Sequence, residues 1–198
     1  MFQNPSKVLP IADIKYDLAA DFSFRIQLGA GLKQRENELG DCLHEAFYLF
    51  RPDTDRQLII KTMSEVIDRH GLAGELPMPD HVVTSIYNLY DFLRSVYGYP
   101  VKVYRELPLQ QFKNGIIYKG EADLVWETTK GLILIDYKSY PGSIGNITNP
   151  AHEKFSGKYS GQLARYKEMI DNSHPEGKKV IETLIYYAVF GAIVRLYL

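Results

Sequence analysis

The sequence predicts an α+β protein: an α/β sandwich around a mixed sheet, with an αβββαββ core and extra helices on its N-terminal side. Three observations predict it. Segments with helical apolar spacing come first, and a block of β-branched and aromatic runs follows. One more helical segment then separates that block from two final strand-like runs. The composition, 45% hydrophobic and 24% charged over 198 residues, is ordinary for one soluble globular domain.

The elements can be taken in chain order. Residues 1–35 are mixed, broken by Pro5, Pro10 and Gly29-Ala30-Gly31, and are expected to be an N-terminal extension or linker ahead of a domain spanning 36–198. Residues 36–51 read as a helix, with Leu43, Phe47 and Phe50 recurring at i, i+4 and i+7. A second helix is expected over 54–70, carrying Leu58, Ile59, Met63, Val66 and Ile67. Two prolines and two glycines make 71–79 a loop. Val82, Ile86, Leu89 and Leu93 then mark a helix over 81–97. Strands are expected at 101–107, 116–127 and 132–139, a helix at 156–171, and strands at 180–189 and 192–198. The fifteen tyrosines mostly fall at core-spaced positions and read as packing.

Several function classes are excluded or disfavoured. No run of 18 or more apolar residues is present, so no transmembrane span and no membrane partner is expected. The start, Met1 to Pro5, lacks a charged-then-apolar leader. A cytoplasmic protein is expected, and the sequon Asn146-Ile147-Thr148 is then idle. The single cysteine, Cys42, excludes an internal disulfide framework and a one-chain Cys₄ iron–sulfur cluster. It is expected to be a buried packing residue. The chain contains no G-x-x-x-x-G-K-[ST], and Gly157 to Gly161 lacks the P-loop glycine spacing, so it is not expected to be the ATPase itself.

The stretch Gly120 to Lys138 carries the chemistry. The runs 116–127 and 132–140 flank a short polar link and read as a β-hairpin. Asp123 and Asp136 are symmetric about Thr129–Lys130, so a turn centred there sets the two carboxylates opposite each other, Cβ atoms roughly 4.5–5.5 Å apart. Asp136 and Lys138 share a face and Tyr137 takes the other. Like charges directly opposite destabilise a strand pair. Two acids and a lysine so placed suit a hard divalent cation beside a phosphodiester, with water as nucleophile. Alone, a D-x-K tripeptide is more often a solvated strand face.

Two helical segments join it. His44 lies beside the stripe of the first helix, and Gln162 and Tyr166 stand one turn apart on a later one. With G-x-x-x-H-x-x-F at Gly40–Phe47, G-x-x-D-L-V at Gly120–Val125, I-D-Y-K at Ile135–Lys138 and Q-L-x-x-Y at Gln162–Tyr166, the chain resembles the RecB-type nuclease branch of the PD-(D/E)xK superfamily. It is most similar to the nuclease domain at the C-terminal end of RecB- and AddA-type helicase–nucleases. The resemblance implies a restriction-endonuclease-like core and Mg²⁺-dependent hydrolysis of DNA phosphodiester bonds, with Mn²⁺ as a substitute. It implies His44, Asp123, Asp136 and the backbone carbonyl of Tyr137 as metal ligands. Lys138 would orient the water and stabilise charge, and Gln162 and Tyr166 would position the DNA backbone or buttress the site. Glu106 matches an acidic position on the preceding strand, as a supporting or second-metal group, and Glu121 shares strand parity with Asp123. Relatives of the AddB type carry an iron–sulfur cluster; one cysteine places this chain on the cluster-free side.

The implied partners are single-stranded or unwound DNA ends and associated helicase domains, in recombinational repair or end processing. Ser139–Gly157 is a long connection after the lysine. With Lys154, Lys158, Arg165 and Lys167 among Phe155, Tyr159 and Tyr166, it is a candidate DNA contact, and equally an ordinary solvated loop and helix. A net charge of −1 argues mildly against an independent DNA binder. Two other readings stay open: a catalytically silent nuclease-like binding module, and a stand-alone phage or restriction-type nuclease.

Overall fold

The computed structural model describes residues 2–198; Met1 lies outside them. In chain order its elements are β1 (Phe2–Gln3), β2 (Tyr16–Asp21), α1 (Glu36–Leu49), α2 (Arg56–Arg69), α3 (Pro79–Tyr97), β3 (Lys102–Lys113), β4 (Ile116–Glu127), β5 (Leu132–Lys138), α4 (Ile144–Thr148), α5 (Ser160–Ser173), β6 (Val180–Tyr187) and β7 (Ala192–Leu196). The protein is α+β with a mixed sheet. β3, β4 and β5 form an antiparallel meander. β6 returns parallel to β5, β7 is antiparallel to β6, and β2 closes that edge antiparallel to β7. β1 lies parallel to the first residues of β4.

Alternation along the central strands explains the layering. On β5, Ile133, Ile135 and Tyr137 face a core shared with α1, α2 and α3. Leu132 and Leu134 face a second core containing Leu163, Met169 and Ile170 of α5. Both faces are covered, so β5 reads as a continuous apolar run. Thr128 closes the β4–β5 turn: its Oγ1 accepts from the N–H groups of Lys130 and Gly131, and its own N–H donates to the Gly131 carbonyl. This turn sets the register Glu127↔Leu132 through Leu124↔Ile135, the one expected from a turn centred on Thr129–Lys130.

The helices begin and end for local reasons. Asp55 caps α2, accepting from the N–H groups of Gln57 and Leu58. Pro79 opens α3, where its missing N–H is not needed, and Gly98 ends it at φ +84°. Of the tyrosines expected as packing, Tyr90, Tyr137, Tyr166, Tyr186 and Tyr187 are buried, whereas Tyr48, Tyr99 and Tyr197 are exposed.

Three elements differ from the sequence-based expectation. The N-terminal 35 residues supply two strands of the sheet, β1 and β2. β3 continues from 107 to Lys113 and turns at Asn114–Gly115, both at positive φ. Pro108 lies within it because β3 is an edge strand, where a missing N–H breaks no ladder. The connection after β5 holds α4, in which Asn146 of the sequon completes a capping box with Ser143.

Candidate active site

The site forms where β4 and β5 part. Their ladder ends at Leu124↔Ile135, so Asp123 and Asp136 occupy the next opposed positions. Here the Asp123 side chain takes over a ladder role: Oδ2 accepts from the Tyr137 backbone N–H at 2.6 Å. β4 also changes phase at this residue. Ala122 packs in the α5-side core, whereas Leu124 and Trp126 pack in the other, although residues two apart on a regular strand share a face. On β3, Arg105↔Leu124 and Leu107↔Ala122 set Glu106 opposite Asp123, and Glu106 has φ +48°, rare for a residue with a side chain. The two irregularities meet at one point.

His44 of α1 reaches that point. Its Nδ1 lies 3.4 Å from Glu106 Oε1 and 3.8 Å from Asp123 Oδ1. Its ring stands edge-on to Tyr137, 5.8 Å between centroids, and Phe47 one turn on packs against the same tyrosine at 4.4 Å. The packed helical stripe thus delivers His44 to the strand gap. One ligand atom each from His44, Glu106 and Asp123 lies within 4.8 Å of the others. Two oxygens and an imidazole nitrogen at this spacing suit one small divalent cation. Asp136 stands apart from that group. It is buried, and its Oδ2 has the Lys138 Nζ 2.5 Å away while accepting no hydrogen bond of regular geometry.

The electrostatics follow from this crowding. Burial, then the Asp136 charge, pushes the Asp123 carboxyl up to about 7. Burial works against a charge on His44, but the Glu106 hydrogen bond and the charges of Asp123 and Glu106 outweigh it and raise its pKa. Burial likewise opposes charge on Lys138; Asp136 and Asp123 outweigh that and raise it. The acids thus favour the charged forms of His44 and Lys138, which in turn offset the acids' own repulsion.

Gln162 and Tyr166 flank the same strand. Gln162 Nε2 donates to Tyr166 Oη at 3.2 Å. The hydroxyl end of the Tyr166 ring packs against Gly120, where an added Cβ would sit 2.5 Å from Tyr166 Cε1. This close approach explains a glycine three residues before Asp123 and links the two motifs physically. Glu121 interacts with Glu106, which together with burial raises its pKa. Of the basic groups considered for DNA, Arg165 pairs with Glu168 at 2.6 Å and covers Tyr118, and Lys167 binds Asp171 and the Val180 carbonyl. Lys154 lies over Tyr140. Cys42 is buried in the core under α1, its thiol pushed up to about 12 by burial and then by Glu45. Glu106 is closer to the centre than its sequence spacing suggests. The signal is its position one strand away in register with Asp123, which only the Asn114–Gly115 turn between β3 and β4 fixes.

No protein-family model matches the chain. It is 25% identical over 175 residues to the A-type subunit of an ATP-dependent helicase/nuclease of Lactobacillus gasseri, covering 78% of this chain and 14% of the relative. The protein of the same name from Lactobacillus johnsonii is 26% identical over 167 residues, covering 73% of this chain and 13% of the relative. The chain thus spans about one-seventh of the length of the curated relatives it matches. Among solved structures it aligns with SSO0001 (14% identity, TM-score 0.31, 77% of this chain and 70% of that one). Protein VC1899 from Vibrio cholerae aligns at 12% identity and TM-score 0.31, over 88% of this chain and 49% of that one. At those scores neither fold nor function is inferred from them. Among the described residues no helix is long and apolar enough to cross a membrane.

Proposed function

We propose that this chain is a metal-dependent deoxyribonuclease module with a restriction-endonuclease-like core, acting on DNA phosphodiester bonds as part of a larger helicase–nuclease. The observation that carries the reading is the convergence of His44, Glu106 and Asp123 beside the Asp136–Lys138 pair. The distant likeness to helicase/nuclease subunits supports it. A bound Mg²⁺, or Mn²⁺ in its place, would supply a water of lowered pKa and offset charge on the phosphate.

The chain's own residues divide the remaining work. His44, Asp123 and Glu106 would hold the cation, and Asp136 and the Tyr137 carbonyl would complete the protein's share. The Tyr137 N–H fixes the Asp123 carboxylate, leaving Oδ1 on the His44 side. Lys138, charged and held by Asp136, orients the water and stabilises negative charge on the phosphate. Tyr166, packed on Gly120, and Gln162, bonded to its hydroxyl, position the DNA backbone against β4. Neighbouring helicase domains deliver the single strand, which accommodates a net charge of −1.

The test is cleavage of end-labelled linear single-stranded DNA with Mg²⁺ or Mn²⁺, comparing wild type with Asp136→Ala and Lys138→Ala. Metal-dependent cutting lost in both variants supports the assignment. Absence of both cutting and Mn²⁺ binding refutes it and leaves a silent binding module.

A further inference from the structure

The Lys138 ammonium lies between two groups. One is Asp136; the other is the ring of Tyr159, whose centroid is 4.5 Å from Nζ. An ammonium is attracted to the negative face of an aromatic ring, more so where water is excluded, and only 21% of this lysine side chain is exposed. A lysine is a point charge on a flexible four-carbon stem. A single carboxylate fixes its distance but leaves its direction loose. The ring supplies a second constraint.

The ring also rests on a built platform. Tyr159 ends a 3₁₀ turn, Ser156–Tyr159, that runs straight into α5. Ser156 Oγ and Tyr187 Oη share a buried hydrogen bond of 2.8 Å. Ser160 Oγ accepts from the Ile11 N–H at 2.8 Å. Gly161 lies so close to the N-terminal segment that an added Cβ would be 2.0 Å from the Leu9 carbonyl oxygen. Both sides of Tyr159 are therefore tied to other parts of the fold. The sequence alone offers Tyr159 as an aromatic for stacking on unpaired bases; in the structure a lysine already covers its ring.

We propose that Tyr159 is a positioning residue that holds Lys138 toward the reacting phosphate, rather than a base-stacking contact. This rests on the nuclease reading above. The aromatic face is what matters, so Tyr159→Phe keeps kcat within about threefold, while Tyr159→Leu lowers kcat about tenfold with KM for single-stranded DNA within about twofold. A readout independent of activity accompanies the kinetics. In metal-free protein with ¹³C-labelled lysine, the Lys138 ε-methylene is assigned by its loss in Lys138→Arg. Ring current shifts that resonance upfield in wild type and Tyr159→Phe, and Tyr159→Leu returns it to the position of exposed lysines. A raised KM at unchanged kcat would make Tyr159 a DNA contact and overturn the proposal. So would equal damage from Phe and Leu, or a resonance that Tyr159→Leu leaves in place. If wild type neither cuts DNA nor binds Mn²⁺, the nuclease reading fails separately, and the resonance alone decides the lysine–ring pair.

Discussion

Replacing Asp123 by asparagine should stabilise the metal-free protein at alkaline pH and leave it nearly unchanged at acid pH. The Asp123 carboxyl ionises near 3.8 when free and is pushed up to about 7 in the fold by burial and by Asp136. Between those values the folded state keeps a proton that the unfolded state has lost, so stability falls as pH rises through the window and is lowest above 7. A tenfold change in proton affinity is worth about 1.4 kcal/mol, so this rise sets a ceiling of about 4 kcal/mol. Asparagine keeps an oxygen for the Tyr137 N–H and removes the charge. The assay is urea denaturation in chelator-containing buffer at about pH 3.5 and about pH 8, on either side of the window. The expected result is a gain of at least about 2 kcal/mol at the higher pH and less than a quarter of that at the lower. A variant destabilised equally at both pH values would refute the reasoning, since Asp123 would then act through its hydrogen bond and not through a buried charge.

Other perturbations test separate parts of the structure. Mn²⁺ affinity should rise with pH through about 7, because Asp123 must lose its proton to ligate and His44, whose pKa is raised, must be neutral; isothermal titration between about pH 5.5 and 8 would show the slope, and a flat profile would count against both as ligands. Gly120→Ala should cost about 1–3 kcal/mol by forcing Tyr166 off β4, read as a lowered Tm, with Tyr166→Ala in the same chain removing most of the penalty. Tyr186→Phe strips a hydrogen bond of 2.7 Å from the buried Ser85 carbonyl and should cost about 1–3 kcal/mol in denaturant unfolding; a neutral result would mean that the Ser85 hydroxyl repairs the gap.

How legible an element is depends on where its constraints lie. β5 and the second half of β6 are covered on both faces, and their apolar runs announce them. α1, α2 and α3 each bury a stripe at helical spacing, and their ends fall within two residues of the boundaries read from sequence. β2 carries no such pattern. Tyr16 to Asp21 has no strict alternation of burial, and pairing with β7, interrupted by a bulge between Leu18 and Ala20, is what makes it a strand. That pairing joins residues some 175 positions apart, beyond the reach of local pattern. β3 is a different case. Pro108 suggests a stop, but Asn114–Gly115 is a strong local hairpin signal, and it outweighs the proline because the strand lies at an edge.

The site divides the same way. The opposition of Asp123 and Asp136 is readable because a hairpin's register is set by its turn, and the Thr128–Gly131 turn is local. The pose of the Asp123 carboxylate is not. A regular ladder would put both acids side by side on one face, where their repulsion is unrelieved. Ending the ladder at Leu124↔Ile135 lets Asp123 turn one oxygen to the Tyr137 N–H and the other toward His44, while Asp136 keeps Lys138. The same break, with Glu106 at positive φ, brings a third carboxylate to His44. A residue at positive φ with a long acidic side chain has no reason to persist on local energetics alone. The surrounding strands and α1 hold it there, and the strain they sustain concentrates negative charge where β4 and β5 part. That arrangement is unfavourable for a bare protein and favourable for one that meets a cation, which is why removing one of its charges should stabilise the metal-free fold and weaken its hold on the ion.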